Sequence, residues 1–313
     1  MSGNSTTQSE PWTILRLLQW TTEHLKKSGS ASPRLDAEVL LAEARGCQRI
    51  DLYAAFNEEP PESVKAIFRE FIKRRAAGEP VAYLVGKKEF YSLPFKVTSA
   101  CLIPRSETEH IVIEAIDRLK KYQRAPEVSL AQDTPVHVID VCTGSGCIAV
   151  TLAKESAKFS SNIRFTAIDL SEDALEVARG NAEQLSVSER IAFRHGDLLE
   201  SIENASADFV VSNPPYVSES EYDQLDRSVR NHEPRIALVS GPTGLEIIHR
   251  LIEQSASKLV PGGWLIFELS PMIADACLAT LESDPRWKLA SLVRDLAGHK
   301  RIALAQRSNL SLD

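Results

Sequence analysis

The chain has 313 residues, of which 43% are hydrophobic and 25% are charged, which is typical of a globular protein with a large core. Its net charge of −7 disfavours a nucleic-acid-binding protein, because such a protein needs a concentrated basic surface. The five scattered cysteines indicate a reducing compartment, and the polar first residues are not expected to be a secretory signal. No segment of the sequence approaches the ~20 apolar residues of a membrane span.

The first part of the chain is predicted to be helical. The segments WTILRLLQWTTEHLKK, SPRLDAEVLLAEAR and PESVKAIFREFIKRRAAG carry apolar residues at helical spacing. The second segment begins with Ser32 and Pro33, an expected N-cap followed by a first helical residue. We therefore predict a small all-helical N-terminal domain over residues 1–79.

Residues 80–105 are predicted to form a β-hairpin that links two domains. The segment VAYLVGKKEFYSLPFKVTSACLIPR is rich in β-branched and aromatic residues, and Gly86 and Pro94 interrupt it.

In residues 106–313, strand and helix patterns alternate, which predicts an α/β domain with a mostly parallel sheet covered by helices on both faces. The segment QRAPEVSLAQDTP is predicted to be a surface loop before the first strand. The seven predicted strands are VHVIDVC, IRFTAID, RIAFRHG, ADFVVSN, GWLIFEL, WKLASLV and KRIALAQ. The last two have no long helix between them, so one of them should run antiparallel.

A glycine-rich turn follows the first strand of this domain. In VIDVCTGSGCIAV the turn residues lie between a strand and a helix, where glycine permits a sharp turn and close approach of a ligand. It is not a P-loop, because no Gly-Lys-Ser/Thr follows. A tight turn without a ligand is the alternative. The candidate cofactor-binding residues here are Asp140, Cys142, Thr143, Gly144, Ser145 and Gly146.

Three further residues are candidates for an adenosine site. Asp169 ends the second strand, where an acid can accept hydrogen bonds from both ribose hydroxyls, although it could merely cap the next helix. Asp197 follows the third strand, at a position suited to an adenine amino group, with Leu198 beside the ring. Nicotinamide dinucleotide and S-adenosylmethionine both remain candidate cofactors at this point.

The fourth strand ends in Asn213-Pro214-Pro215-Tyr216, the candidate catalytic residues, and Asn213 is also a candidate cofactor-binding residue. The side-chain oxygen of Asn213 and the carbonyl of Pro214 can accept both hydrogens of a planar NH₂ group, and Tyr216 offers a stacking face. Proline fixes φ and removes backbone donors, so these four residues, Asn213 to Tyr216, would form a rigid corner that is rich in acceptors. An ordinary Pro-Pro turn is the alternative for this tetrapeptide alone.

Taken together, the sequence resembles the HemK/PrmC family of peptide chain release factor N5-glutamine methyltransferases from about Pro33 to Gln306. The resemblance rests on the segments PRLDAEVLLA, RRAAGEPVAYLVGKKEFY, LIPRSETE, DVCTGSGCIAV, AIDLSEDALEVARGNA, VVSNPPYV, EPRIALVSGPTGLEIIHR, LVPGGWLIFEL and RDLAGHKRIALAQ.

The resemblance implies a Rossmann-like class I methyltransferase domain with a seven-stranded, mostly parallel sheet. It implies methyl transfer from S-adenosylmethionine, with S-adenosylhomocysteine as product, to the glutamine side-chain amide in the Gly-Gly-Gln motif of class I release factors. It also implies that the helical domain docks the release factor, and that Arg105, Glu107, Thr108 and Glu109 support the substrate site. We expect a cytoplasmic monomer without a metal site and without a membrane or nucleic-acid partner.

The sequence departs from the family pattern in three places. Cys142 stands where the family usually has the first loop glycine, Leu198 is aliphatic where some members have an aromatic residue, and FELSPM replaces the usual segment after the fifth strand.

Two alternative functions stay open. A DNA or RNA adenine-N6 methyltransferase would use the same corner for a flipped base. A scaffold protein that binds the cofactor without turnover is the other alternative.

Overall fold

The computed structural model of the chain describes residues 11–124 and 134–309, and the structural statements below concern these residues. The loop predicted over QRAPEVSLAQDTP and the polar N-terminal segment lie mostly outside them.

Five helices precede the first strand. They are α1 (Ile14–Lys27), α2 (Pro33–Arg45), α3 (Arg49–Ala54), α4 (Glu62–Ala76) and α5 (Val81–Val85). α1 begins after Thr13, whose hydroxyl accepts a hydrogen bond from the Arg16 backbone N–H at 3.3 Å. Their shared core contains large apolar side chains without solvent exposure, among them Ile14, Leu18, Leu25, Leu40, Leu41 and Leu52.

The predicted start of α2 is confirmed in position, since Ser32 is the N-cap residue and Pro33 opens the helix. However, the Ser32 side chain makes no capping hydrogen bond. The short helix α3 was missed by the sequence analysis; it begins with a capping box between Gln48 and Asp51.

The prediction of strand structure from residue 81 onward is wrong in its first part. Val81–Val85 is helix α5, which ends at Gly86 in the left-handed conformation with φ of 71°. The hairpin is shorter, with strands β1 (Lys87–Phe90) and β2 (Leu93–Lys96) joined through Tyr91 and Ser92.

The remaining elements alternate between strand and helix. The helices are α6 (Glu109–Leu119), α7 (Cys147–Ser156), α8 (Glu172–Gln184), α9 (Glu219–Tyr222), α10 (Arg227–His232), α11 (Glu246–Lys258) and α12 (Ala274–Ser283). The strands are β3 (Val136–Val141), β4 (Ile163–Asp169), β5 (Ile191–His195), β6 (Ala207–Ser212), β7 (Val217–Ser218), β8 (Val239–Gly241), β9 (Leu259–Glu268), β10 (Trp287–Arg294) and β11 (Lys300–Arg307).

Within the described residues, the main sheet has seven strands in the order β10-β11-β9-β6-β3-β4-β5. The pairs β9–β6, β6–β3, β3–β4 and β4–β5 are parallel, whereas β11 is antiparallel to both of its neighbours. The mostly parallel α/β fold and the single antiparallel strand are therefore confirmed. A small parallel pair, β7 with β8, was not predicted.

Two hydrophobic clusters cover the two faces of this sheet. Along β6, Phe209 and Val211 belong to one cluster and Val210 to the other, as the alternation of side chains in a strand requires. The first cluster includes residues of α6, α7 and α8, and the second includes residues of α11 and α12. The helices pack on the two faces of the sheet, so the residues that follow the parallel strands lie at the carboxyl edge of the sheet.

The chain forms two compact units. One comprises Met1–Gly86 with Arg227–His232, and the other comprises Lys87–Asp226 with Glu233–Asp313. The hairpin belongs to the second unit, where the Lys96 backbone N–H donates to the Asn181 side chain at 2.7 Å. The predicted boundaries, 1–79, 80–105 and 106–313, stay predictions.

Candidate active site

The parallel strands bring distant parts of the sequence to one edge of the sheet. Asp169 ends β4 and Glu268 ends β9, while the glycine-rich turn follows β3 and Asn213 follows β6. In open sheets with parallel strands, ligands bind at this carboxyl edge, where the strand order reverses. Here β3 lies between β4 and β6, so the turn after β3 is at that point.

A cleft of about 1050 Å³, counted with its space open to solvent, lies at this edge. Nine residues predicted for the site line it: Thr108, Cys142, Thr143, Gly144, Asp169, Asp197, Leu198, Asn213 and Pro215. The sequence analysis missed the rest of the lining, which comes from residues 100–104, from the start of α7, from residues 170–174, from residue 196, from a segment around β8 and from the start of α11. These residues include Cys101, Leu102, Leu170, Pro234, Ile236 and Val239.

Eight predicted residues are not part of the cleft lining. They are Asp140, Ser145, Gly146, Pro214, Tyr216, Arg105, Glu107 and Glu109. Their predicted contacts with cofactor or substrate stay predictions.

Asp140 lies beneath the glycine-rich turn. Its Oδ2 accepts hydrogen bonds from the Thr143 hydroxyl at 2.6 Å and from the Ala149 backbone N–H at 3.1 Å. Oδ1 is buried without a hydrogen-bond partner among the described residues. Burial raises the pKa of Asp140 to about 7. The carboxyl group thus ties the turn to the first residues of α7.

The turn itself uses left-handed backbone at several residues. Gly144 and Gly146 have φ of 55° and 78°, and a Cβ atom at Gly146 would lie 3.0 Å from the Ala178 Cβ. Cys142 has φ of 58°, which is costly for a residue with a Cβ atom. This conformation explains why a glycine is expected at position 142. Burial raises the pKa of the Cys142 thiol, which therefore stays protonated.

Asp169 joins the turn to the start of α8. Its Oδ2 accepts from the Gly144 backbone N–H at 2.8 Å, and its Oδ1 accepts from the Ser171 backbone N–H at 2.9 Å. The helix cap is Ser171, whose hydroxyl accepts from Ala174, so capping does not require Asp169. Burial raises the pKa of Asp169, against the effect of its backbone donors. Each carboxylate oxygen retains a lone pair for a further hydrogen bond.

The residues after β5 line another part of the cleft. Asp197 accepts a hydrogen bond from Arg250 at 2.8 Å, while Leu198 is buried with φ of 49°. The carboxylate of Asp197 is therefore held by a guanidinium, and the predicted contact with an adenine amino group stays a prediction.

A chain of hydrogen bonds supports the Asn-Pro-Pro-Tyr corner. Asn213 Nδ2 donates to Thr108 Oγ1 at 3.1 Å, and the Thr108 hydroxyl donates to Glu268 Oε2 at 2.6 Å. The Tyr216 hydroxyl donates to Glu268 Oε1 at 2.9 Å. Burial raises the pKa of both Glu268 and Tyr216. The sequence analysis noted the unusual segment at 268–270 but did not identify Glu268 as a site residue.

The segment LIPRSETE contributes unequally to the site. Thr108 reaches the corner, whereas Arg105 forms an ion pair with the buried Glu233 at 2.5 Å. Glu109 accepts from the Tyr91 backbone N–H at 2.8 Å, and Glu107 accepts from the Ser106 hydroxyl at 3.0 Å.

Glu233 was also missed by the sequence analysis. Its Oε2 accepts from the backbone N–H of Ile103 at 3.1 Å, while its Oε1 holds Arg105. Glu233 thereby fastens residues 103–105 to the segment that begins at Pro234, and both segments contribute to the cleft lining.

Within residues 11–124 and 134–309, no group of three or more His, Cys, Asp or Glu side chains is arranged to hold a metal ion. In the same ranges, no helix combines the length and the apolar character needed to cross a membrane.

Comparison with known proteins agrees with this geometry. Residues 16–86 match the model of the PrmC N-terminal domain, and residues 128–231 match that of the methyltransferase small domain. A release factor glutamine methyltransferase of Rhodopirellula baltica is 48% identical over 97% of this chain and 99% of its own length. A protein of the same name from Nitratidesulfovibrio vulgaris is 39% identical over 95% of this chain and 96% of its own length. Another, from Bacillus subtilis, is 37% identical over 91% of this chain and 88% of its own length.

Among solved structures, the hMettl16 catalytic domain in complex with MAT2A 3′UTR hairpin 6 has a TM-score of 0.52. The alignment covers 77% of this chain and 82% of that chain at 18% identity, and so it supports the fold alone. The identity of 37–48% to these relatives, over at least 88% of each protein, identifies the family. The chain belongs to the release factor glutamine methyltransferases.

Proposed function

We propose that the chain transfers a methyl group from S-adenosylmethionine to the side-chain amide nitrogen of the glutamine in the Gly-Gly-Gln motif of class I peptide chain release factors. The names of its relatives support this activity. The observation that carries it is the corner at Asn213. There, Oδ1 has no hydrogen-bond partner among the described residues, while Nδ2 is engaged by Thr108.

The cleft is suited to S-adenosylmethionine. A Cβ atom at Gly144 would have no neighbour within 4 Å, so the turn leaves open space on that side. Asp169 has free lone pairs for ribose hydroxyls, and the apolar Leu198 and Leu170 line the part assigned to the adenine ring. When bound, the cofactor supplies an electrophilic methyl group on a sulfonium.

The corner residues orient the attacking nitrogen. An amide nitrogen is a poor nucleophile, because its lone pair is delocalised into the carbonyl group. Asn213 Oδ1 and the Pro214 carbonyl would accept the two N–H groups, fix the nitrogen and stabilise the positive charge that develops on it. The nitrogen would gain the methyl group as the sulfonium–methyl bond breaks and S-adenosylhomocysteine leaves, and it would then lose one proton to water, so no strong base is needed before the transfer.

We further propose that the N-terminal helices dock the release factor and that the enzyme acts as a monomer in the cytoplasm. The five cysteines are all free, which agrees with a reducing compartment.

The experiment that tests this function offers a class I release factor, duplex DNA and RNA together with labelled S-adenosylmethionine. We expect label in the release factor and none in either nucleic acid. Label in DNA or RNA with an unlabelled release factor would instead support the adenine methyltransferase. A Gln→Ala change in the Gly-Gly-Gln motif is the matched substrate control and should abolish the label.

A further inference from the structure

Thr108 is placed like a helix cap but does not act as one. It is the N-cap residue of α6, a position where a threonine hydroxyl ordinarily accepts a backbone N–H from the first turn. No such capping hydrogen bond is present, and Thr108 as a whole residue is 1% exposed. Its hydroxyl instead forms hydrogen bonds with both Asn213 and Glu268, and Glu268 lies 160 residues further along the chain. The placement of this hydroxyl is therefore directed to the corner and not to the helix.

Glu268 determines which way the Thr108 hydroxyl points. Its two carboxyl oxygens accept hydrogen bonds from the hydroxyl groups of Thr108 and Tyr216. The single hydrogen of the Thr108 hydroxyl is thereby committed to Glu268 at 2.6 Å. Toward Asn213, the same oxygen presents only lone pairs.

The orientation of the Asn213 amide follows from this commitment. Only its NH₂ end can donate to Thr108 Oγ1, so Nδ2 takes that position at 3.1 Å and Oδ1 takes the other. The reversed amide would set two acceptors against each other and leave Thr108 Oγ1 without a donor, which is unfavourable for a buried group. Asn213 lines the cleft with its acceptor fixed by residues behind it.

We propose that Glu268 and Thr108 are positioning residues that set the polarity of the Asn213 amide and thereby select glutamine over glutamate at the substrate position. The inference rests on the proposed function and deepens it. A fixed acceptor accepts from the NH₂ group of glutamine, whereas it repels the acceptor-only carboxylate of glutamate. An Asn213 amide free to rotate could turn its NH₂ end to the cleft and donate to that carboxylate.

The test compares Thr108→Val with Thr108→Ser in the full-length enzyme. Valine keeps the approximate volume but removes the hydroxyl, and serine restores it. We expect Thr108→Val to lower kcat by about 10- to 100-fold, the scale of an unsatisfied buried hydrogen-bonding group. The dissociation constant for S-adenosylmethionine should stay near the wild-type value, which also reports that the variant is folded. Thr108→Ser should recover most of the turnover.

The decisive readout is inhibition by release factors altered in the Gly-Gly-Gln motif. A Gln→Glu release factor should inhibit the wild-type enzyme no better than a Gln→Ala release factor. Against Thr108→Val, the Gln→Glu protein should become the better inhibitor by about 10-fold, because the released amide can donate to the carboxylate. A merely structural role of Thr108 would weaken both inhibitors alike.

Different results would contradict the proposed function and the proposed role of Thr108 and Glu268 in setting the polarity of the Asn213 amide. Wild-type enzyme that leaves the release factor unmethylated would overturn the proposed function. Wild-type methylation, together with normal turnover of Thr108→Val or an unchanged ranking of the two inhibitors, would overturn the polarity mechanism alone. If Thr108→Val does not bind the cofactor, Thr108→Ala, which adds no methyl group against Asn213, is measured with the same expected and contrary outcomes.

Discussion

At the scale of single residues, two of the hydrogen-bond acceptors that line the cleft, Asp169 and Asn213, have different surroundings. Asp169 is held by the backbone N–H groups of Gly144 and Ser171, so it is built into the turn. Asn213 is held by a side chain, Thr108, and its oxygen is free of partners in the described residues. We assign the first to the cofactor and the second to the substrate amide.

Substitution of these two residues should separate binding from turnover. We expect Asn213→Ala to lower kcat by about two orders of magnitude, the scale of a lost preorganised polar contact, with little change in cofactor affinity. Asp169→Ala should mainly lower the affinity for S-adenosylmethionine, by about 10- to 100-fold, because hydrogen bonds to a charged group are lost. Steady-state kinetics and calorimetric cofactor titration measure the two effects. Near-normal turnover of Asn213→Ala would contradict its role.

Cys142 provides a second prediction at this scale, because its φ of 58° strains any residue with a Cβ atom. Cys142→Gly should be more stable than Cys142→Ala by about 1 kcal/mol, since glycine adopts left-handed backbone without a steric cost. Urea unfolding of the two variants measures the difference.

The matched control for this prediction is Cys277 in α12, where the preference should reverse. There Cys277→Ala should be more stable than Cys277→Gly by about 1 kcal/mol, which is the ordinary difference in helix propensity between the two residues. The same order of stability at both positions would show that the strain at Cys142 is absent.

At the scale of elements, the corner after β6 depends on a glycine that does not line the cleft. Gly244 has φ of 83°, and a Cβ atom there would lie 2.6 Å from the Tyr216 carbonyl oxygen. That distance is too short for a real contact, so backbone must shift. The loop before α11 therefore fixes the backbone position of the corner.

Gly244→Ala should lower turnover although the residue touches neither cofactor nor substrate. We expect a loss of about 10-fold or more in kcat, because a displacement near 1 Å disturbs the reacting geometry. Gly180→Ala in α8 is the control, since a Cβ atom there meets no atom within 4 Å. It should keep full activity and gain about 1 kcal/mol of stability. Full activity in Gly244→Ala would disprove the dependence of the corner on this loop.

Elements with strong patterns could be predicted from the sequence, and weak local patterns could not. The strands β3, β4 and β6 are short, mostly apolar segments bounded by polar turns, so their positions could be predicted. Val81–Val85 has β-branched composition yet forms a helix, because five residues carry too little periodicity to overrule tertiary contacts. β7 has only two residues and pairs across a loop, which leaves no sequence signal.

Thr108 and the residues around it came from the family resemblance, and the other candidate site residues could be predicted because they end or follow a strand. Asp169 and Asn213 could be placed by that rule. The partnership of Thr108 with Glu268 could not, because it depends on the packing of α6 beside the end of β9 and no local motif encodes it. Glu233 was missed for the same reason, since its partner Arg105 is 128 residues away along the chain.

At the scale of the whole molecule, two units have separate cores. The chain leaves the first unit after Gly86, returns to it for Arg227–His232, and ends in the second unit. The second unit contains the whole cleft and the hydrogen-bonded corner. We therefore assign the chemistry to the second unit, and release factor docking by the first unit stays a proposal.

The central claim concerns the atom that receives the methyl group. The most direct measurement is mass-spectrometric mapping of a class I release factor after incubation with the full-length chain and S-adenosylmethionine. The proposed function predicts one added methyl group, located by fragmentation on the side chain of the Gly-Gly-Gln glutamine. An unmodified glutamine, with methyl groups found instead on adenine in added DNA or RNA, would contradict it.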